Sequence, residues 1–154
     1  HTVSNYINYI EEAFGIDMIK PFSTRTKNEL SYYHKTYNAD VALNSLRCTD
    51  SRYDLDHNLE NIIYNELLYM DYKLKVFNDS DREVDFVAEK DGKKYFIQVA
   101  FSVQNEKAYE REFRVFANLD NLSQKILITN DDLDYSTSVV RHIKLKDFLL
   151  MEDL

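Results

Sequence analysis

The chain has 154 residues, of which 44% are apolar and 14% aromatic, enough for one packed domain and too apolar for a disordered chain. Two glycines and one proline exclude collagen-like and glycine-cradle architectures, and the single Cys48 excludes an internal disulfide and a zinc site built on several thiolates. With 19 basic and 27 acidic residues the net charge is -8, and residues 51–154 carry 14 Lys and Arg against 21 Asp and Glu; this balance disfavours a strong non-specific hold on nucleic acid.

The chain opens inside a helical pattern, as an excised fragment would. Val3, Tyr6, Ile7, Ile10 and Phe14 recur at three- and four-residue steps, which predicts an amphipathic helix over 2–14, ended by Gly15. Residues 16–22 read as a short extended piece broken at Pro21. The polar stretch 23–35 reads as a loop or weak helix and divides the chain into an N-terminal helical segment, 1–35, and a main domain, 36–154. Asp40 introduces a short helix over 40–46. The strongest helix spans 54–70, with Leu55, Leu59, Ile62, Ile63, Leu67 and Met70 forming its apolar stripe.

Three strands follow, over 72–77, 82–90 and 93–101. Asp91-Gly92 between the last two is a two-residue hairpin signal. A helix over 105–119 buries Ala108, Tyr109, Phe113, Phe116 and Ala117. Residues 125–129 form an apolar run suited to an inner parallel strand, 139–145 a further strand, and 146–151 a terminal helical turn. The order predicts an α/β domain: a meander, then a crossover helix returning the chain to a mixed sheet. No apolar run approaches the ~20 residues that cross a bilayer, and no signal-peptide pattern is present, so the expectation is a cytoplasmic protein without membrane contact.

Strict alternation would place Glu83, Asp85, Val87 and Glu89 on one face of their strand, and Val84, Phe86 and Ala88 on the other. On the partner strand Lys94, Phe96, Gln98 and Ala100 share a face. Asp85 and Gln98 stand in otherwise apolar strand centres and need polar partners there. On the preceding helix Glu66 falls inside the apolar stripe and Glu60 at its margin. Carboxylates converging from a helix and a strand would make an oxygen-rich site suited to Mg²⁺; the alternative for Glu66 is that it caps a strand end or pairs with an arginine.

A helix Glu, a strand Asp and a Glu/Gln-x-Lys tripeptide across a hairpin form the pattern of the PD-(D/E)xK restriction-endonuclease-like superfamily. The sequence resembles most one branch, the domain of unknown function at the C-terminus of archaeal and bacterial AAA-type ATPases. The matching stretches are 59–67, 83–87 and 97–100, with Arg111-Glu112-Phe113-Arg114 and His142-Ile143-Lys144-Leu145. Residues 3–14 are similar to the tail of the winged-helix piece that precedes the nuclease-like core.

The resemblance implies a restriction-endonuclease-like mixed sheet flanked by helices, with Glu60, Asp85 and Gln98 as the positions that hold Mg²⁺ and Glu66 in a family-typical place. In active members a lysine orients the attacking water while the cation lowers its pKa. Here Ala100 stands where that lysine belongs, and Gln98 is neutral, so the site residues read as vestigial. Losing a preorganised donor costs about 2.7–4 kcal/mol of transition-state stabilisation. Lys94 lies about 20 Å away along an extended strand. A basic stripe of Lys107, Arg111 and Arg114 is a place from which a lysine could migrate, although a solvated helix face accounts for it more simply.

His34, His57 and His142 are scattered, His57 and Glu60 making at most half a metal pair. Tyr32, Tyr33 and Tyr37 suit core packing or base stacking. No glycine-framed serine or phosphate loop occurs, so any ATP site belongs to a missing ATPase portion. The expected function is a catalytically degenerate accessory domain of an AAA-type ATPase, serving in binding, positioning or assembly, with the ATPase domain as partner. Homo-oligomers are compatible with this, and nucleic acid is disfavoured by charge. The alternative is an active Mg²⁺-dependent nuclease with a relocated lysine; a third reading is a pure protein-interaction module.

Overall fold

The computed structural model describes residues 2–19, 21–22, 35–45, 55–79, 82–120 and 122–154, without the side chains of 21, 22, 79 and 82. Of the predicted loop 23–35, residues 23–34 with Tyr32, Tyr33 and His34 lie outside the described residues, as do Leu46, Cys48 and Asp54, whereas Lys35 belongs to a strand. The fold is mixed α/β. Helix α1 (Thr2–Glu12) leads into β1 (Ile16–Ile19), β2 (Pro21–Phe22) and β3 (Lys35–Asn38). Then come α2 (Ala42–Ser45), α3 (Leu55–Tyr69), β4 (Lys73–Asp79), β5 (Arg82–Lys90) and β6 (Lys93–Ala100). Helix α4 (Glu106–Arg114), β7 (Gln124–Thr129), β8 (Val140–Lys144) and α5 (Leu145–Phe148) complete the order. None of the helices among the described residues is long and apolar enough to cross a membrane.

A six-stranded sheet runs β2-β4-β5-β6-β7-β8, and β1 pairs with β3 in a separate antiparallel sheet of two strands. Strands β4, β5 and β6 are an antiparallel meander, and β6, β7 and β8 are parallel, with α4 joining β6 to β7. Asp91 (φ 51°) and Gly92 (φ 76°) both take the left-handed conformation that a type I′ hairpin turn requires. The β1–β3 pairing spans the 35/36 division, with Lys35 opposite Ile19.

Two apolar layers cover the sheet. One, on the α3 side, contains Leu59, Ile63, Leu67, Val76, Phe86, Ala88, Tyr95, Ile97, Val99, Ile126 and Ile128. The other, on the α4 side, contains Phe77, Val84, Val87, Phe96, Ala100, Phe116 and Leu127. Each fully buried aliphatic or phenyl side chain contributes about 1.5–3 kcal/mol. Two stripe residues depart from expectation: Leu55 is exposed and Ile62 only half-buried, whereas Asn58, Asn61 and Tyr64 are buried on α3. Helix α4 also stops short of the predicted 119, and Ala117 is exposed while Glu112 is buried.

Helix α1 ends differently from the sequence expectation. Phe14, not Gly15, takes the left-handed position (φ 58°), while the Gly15 N–H returns to the Ile10 carbonyl. A Cβ at Gly15 would stand 3.0 Å from Ile10 Cγ2, so a larger residue there would press on that exposed side chain. At the end of α3, Asp71 (φ 67°) occupies the corresponding position, and the Tyr72 N–H bonds the Leu67 carbonyl.

Strand β5 breaks the expected alternation. Lys75 pairs with Val87 but Phe77 pairs with Val84, so Val76 stands opposite both Asp85 and Phe86. This β-bulge reverses the facing of the strand. Val84, expected beside Phe86 and Ala88, packs instead with Val87 in the α4-side layer. Glu83 thereby moves to the α3 side, and Asp85, released from alternation, turns to the same side.

Candidate functional site

Strand β3, helix α3 and strand β5 meet at one ammonium group. Lys35 Nζ lies 2.7 Å from Glu60 Oε1, 2.7 Å from Glu83 Oε1 and 2.9 Å from Asp85 Oδ1. A lysine ammonium has three hydrogens, so each of its donors has one carboxylate. The side chains of Lys35 and Glu60 are each 16% exposed and that of Asp85 11%, which leaves little water to screen the charges.

The sequence builds this meeting point locally. Asn61 is fully buried on α3; its Oδ1 accepts from the Asn38 N–H at 3.0 Å and its Nδ2 donates to the Asn38 carbonyl at 2.9 Å. One amide side chain therefore takes the place of a neighbouring strand and fixes β3 against α3, three residues from Lys35. Tyr37, on the same strand, donates its hydroxyl to Glu60 Oε1 and stacks on Tyr64 with ring centres 4.2 Å apart. The Tyr64 hydroxyl in turn donates to Asp17 of β1. Of the tyrosines considered for base stacking, Tyr37 is thus a core residue, 1% exposed.

Burial, and then the nearby Glu60 charge, push the Asp85 carboxyl up to about 7, against the opposing pull of Lys35. Burial alone would lower Lys35, but attraction to Asp85 and Glu60 overrides it and holds the ammonium far above its ordinary value. Tyr37 is held neutral by burial and by the Glu60 charge.

Gln98 has a different task. The β5–β6 pairing runs to Phe86 and Ile97, and beyond it side chains replace the backbone ladder. Gln98 Oε1 accepts from the Asp85 N–H at 3.3 Å, and Asp85 Oδ2 accepts from the Val99 N–H at 3.0 Å. The bulge leaves an unpaired backbone N–H, and Gln98 supplies its acceptor. Gln98 Nε2 donates to Glu112 Oε2 of α4 at 2.8 Å, and Arg111 Nε lies 2.6 Å from Glu112 Oε1. Gln98 is therefore engaged on the α4 side, together with Ala100, which is buried among Phe77, Phe96, Val103 and Phe116.

Of the residues expected to hold a metal, the structure brings Glu60 and Asp85 together and turns Gln98 to the opposite face. Glu66 is not in the cluster. It follows Glu60 by six residues, which at about 100° each places it roughly 120° around α3, and it is half-buried. The lysine comes from neither position 100 nor α4, where Lys107, Arg111 and Arg114 are exposed. Mg²⁺ does not fit this arrangement. The point where the carboxylates converge is held by Nζ, and a divalent ion with oxygens at about 2.0–2.1 Å would have to share it. Among the described residues no group of three or more His, Cys, Asp or Glu is disposed to hold a metal ion.

Sequence reasoning missed Lys35, Glu83, Tyr37 and Asn61. For Glu83 the signal was present, two residues before Asp85, but alternation gave no reason to separate it from Val87. For Lys35 nothing local distinguished a four-residue strand within polar sequence.

A second polar group lies on the α4 side, at the C-terminal ends of the parallel strands. The Tyr135 N–H donates to His142 Nδ1 at 3.3 Å, which puts the ring proton on Nε2, 2.9 Å from Thr129 Oγ1. Thr129 in turn donates to Asp131 Oδ2 at 3.2 Å. Asp131 also accepts from the Ser102 hydroxyl at 2.7 Å and the Val103 N–H at 2.8 Å. Burial lowers His142 below its ordinary value, against the opposing pull of Asp134 and Asp131.

A family model described as a domain of unknown function (DUF4143) matches residues 56–148. An uncharacterized protein of Haemophilus influenzae is 32% identical over 129 residues, 84% of this chain but 32% of that protein. The chain thus spans about a third of the length of that curated relative. No solved structure matches.

Proposed function

The chain belongs to the DUF4143 family, and from that premise we propose that it is a restriction-endonuclease-like scaffold that has lost catalysis and serves an AAA-type ATPase in binding, positioning or assembly. The observation that carries this reading is the split of the motif residues between two faces. Glu60 and Asp85 point to the α3 side, whereas Gln98 is tied to Glu112 and Ala100 sits in the α4-side apolar layer. A nuclease of this kind needs its carboxylates and its lysine around one water and one phosphate, and these residues do not surround one space.

An active nuclease with a relocated lysine has a candidate in Lys35. Its three donors are all spent on carboxylates, which leaves none to orient a water. The ATPase association rests on the resemblance of residues 59–67, 83–87 and 97–100, and the relative's greater length leaves room for a motor portion carrying the ATP site. The division at 35/36, with a winged-helix-like tail before it, belongs to the same proposal, as do a cytoplasmic location and a homo-oligomer.

The test is incubation of the chain with supercoiled plasmid and single-stranded DNA in Mg²⁺ or Mn²⁺. Both substrates are expected to stay intact. Nicking that vanishes in Asp85→Ala overturns the proposal.

A further inference from the structure

We propose that the Lys35 ammonium is the resident cation of this fold: it occupies the point between Glu60, Glu83 and Asp85 that a divalent ion would need, and so keeps such ions out. The inference rests on the reading of a scaffold without catalysis and adds to it the reason why the acidic face needs no metal.

Three observations support it. First, the coordination is complete on the lysine's side. Oxygens of three separate carboxylates lie 2.7–2.9 Å from one nitrogen, one for each hydrogen. Second, the ammonium is delivered by a strand fixed in place. Asn61 clamps both backbone groups of Asn38, Tyr37 packs against both Tyr64 and Phe86 while bonding the same Glu60 oxygen, and β1 pairs along β3 from Asn38 to Lys35. Third, the bulge in β5 brings Glu83 and Asp85 to the same side. With strict alternation they would also share a face, but that face would be Val87's, turned from Glu60. The bulge thus serves the lysine, not the motif glutamine.

The Glu83 side chain is 33% exposed, but Glu60 and Asp85 are largely shielded from water and cannot remain so without a counter-ion. In a metal-dependent site the counter-charge is exchangeable and dissolved; here it is covalently part of β3. The ammonium supplies one positive charge where a divalent ion supplies two, and the remainder is eased by the raised Asp85 carboxyl and the Tyr37 hydroxyl on Glu60.

The experiment is a Mn²⁺ titration of the whole 154-residue chain followed by electron paramagnetic resonance, with thermal unfolding in Ca²⁺, Mn²⁺ or chelator alongside. Wild type and Lys35→Arg are expected to show no saturable Mn²⁺ binding and no metal-dependent change in melting. Lys35→Met is expected to unfold roughly 10²–10³-fold more readily in chelator and to recover in part with Mn²⁺ or Ca²⁺. Where that variant does not fold in chelator, Lys35→Met/Glu83→Gln removes one of the stranded charges and is read in the same way, with weaker recovery.

Saturable Mn²⁺ binding to wild type overturns the inference, as does a folded Lys35→Met or double variant indifferent to both metals. The two proposals fail separately. Wild type that binds Mn²⁺ and leaves DNA intact defeats this one alone. DNA cleavage lost in Asp85→Ala defeats the scaffold reading.

Discussion

The two faces of the sheet solve the same problem, polar side chains beneath a packed layer, with opposite chemistry. On the α3 side formal charge meets formal charge, three carboxylates around one Lys35 ammonium. On the α4 side the chain from Tyr135 through His142 and Thr129 to Asp131 works with a neutral imidazole and hydrogen bonds. The first arrangement depends on a segment far away in sequence. The second is made almost wholly within residues 129–142 and depends on strands that are already neighbours. A charge cluster tolerates an imported partner because Coulomb attraction reaches further than a hydrogen bond and asks less of its angle.

After Lys35→Met, the largest effect should come from breaking the α4 side. Asp131→Ala removes the acceptor for the buried Val103 N–H and for two hydroxyls, and is expected to cost about 2–3 kcal/mol in urea unfolding. Next, Asn61→Ala leaves the Asn38 N–H without its partner and loosens β3, at about 1–2 kcal/mol. Its signature is faster amide exchange at residues 35–38 than at 140–144.

The pH dependence sharpens the contrast, because the two sides slope in opposite directions. Asp85 is raised to about 7, so the folded chain takes up that proton before the unfolded chain does. Its contribution therefore grows as pH falls from about 7 toward 4 and is lost as pH rises through that window. His142 is lowered from 6.5, so the unfolded chain protonates first, and stability falls as pH drops below 6.5. One proton gives at most about 1.4 kcal/mol per pH unit. Melting curves from pH 4 to 8 should lose their acid-favouring component in Asp85→Asn and their acid-sensitive component in His142→Gln. Identical profiles for both variants would contradict this assignment. The smallest effect belongs to Glu66→Gln, outside both clusters, expected within about 0.5 kcal/mol of wild type by the same unfolding measurement.

Much of the fold was legible because its signals are local. Asp91-Gly92 gave the hairpin, and the run from Lys125 to Thr129 gave the inner parallel strand. The faces of β6 also followed from alternation, with Tyr95, Ile97 and Val99 opposite Phe96 and Ala100. The candidate site was less legible, for two physical reasons. A bulge has no compositional mark here, Asp85 and Phe86 being neither glycine nor proline, so alternation was carried past the point where it fails. Lys35 belongs to a strand too short to show a period, held by Asn61 and Tyr64 rather than by its own propensity. Glu66 and Glu60 read from the sequence as separate positions, one inside the apolar stripe and one at its margin, and their six-residue spacing sets them about 120° apart on α3.

Strand β5 advances two steps while its neighbour advances one, and everything before that point has changed parity. What this imposes is a rule of position: the extra residue is absorbed at 85–86, opposite Val76. Swapping a side chain between 83 and 87 alters one contact. Deleting Asp85 would leave Val76 facing Phe86 alone and keep Phe77 on Val84, so Glu83 and Val84 would hold their faces; closing the bulge at unchanged length is what would carry Glu83 under Phe77 and Phe96 and lift Val84 toward the lysine. The extra residue is thereby taken up without turning its predecessors over, and it brings a carboxylate to the ammonium.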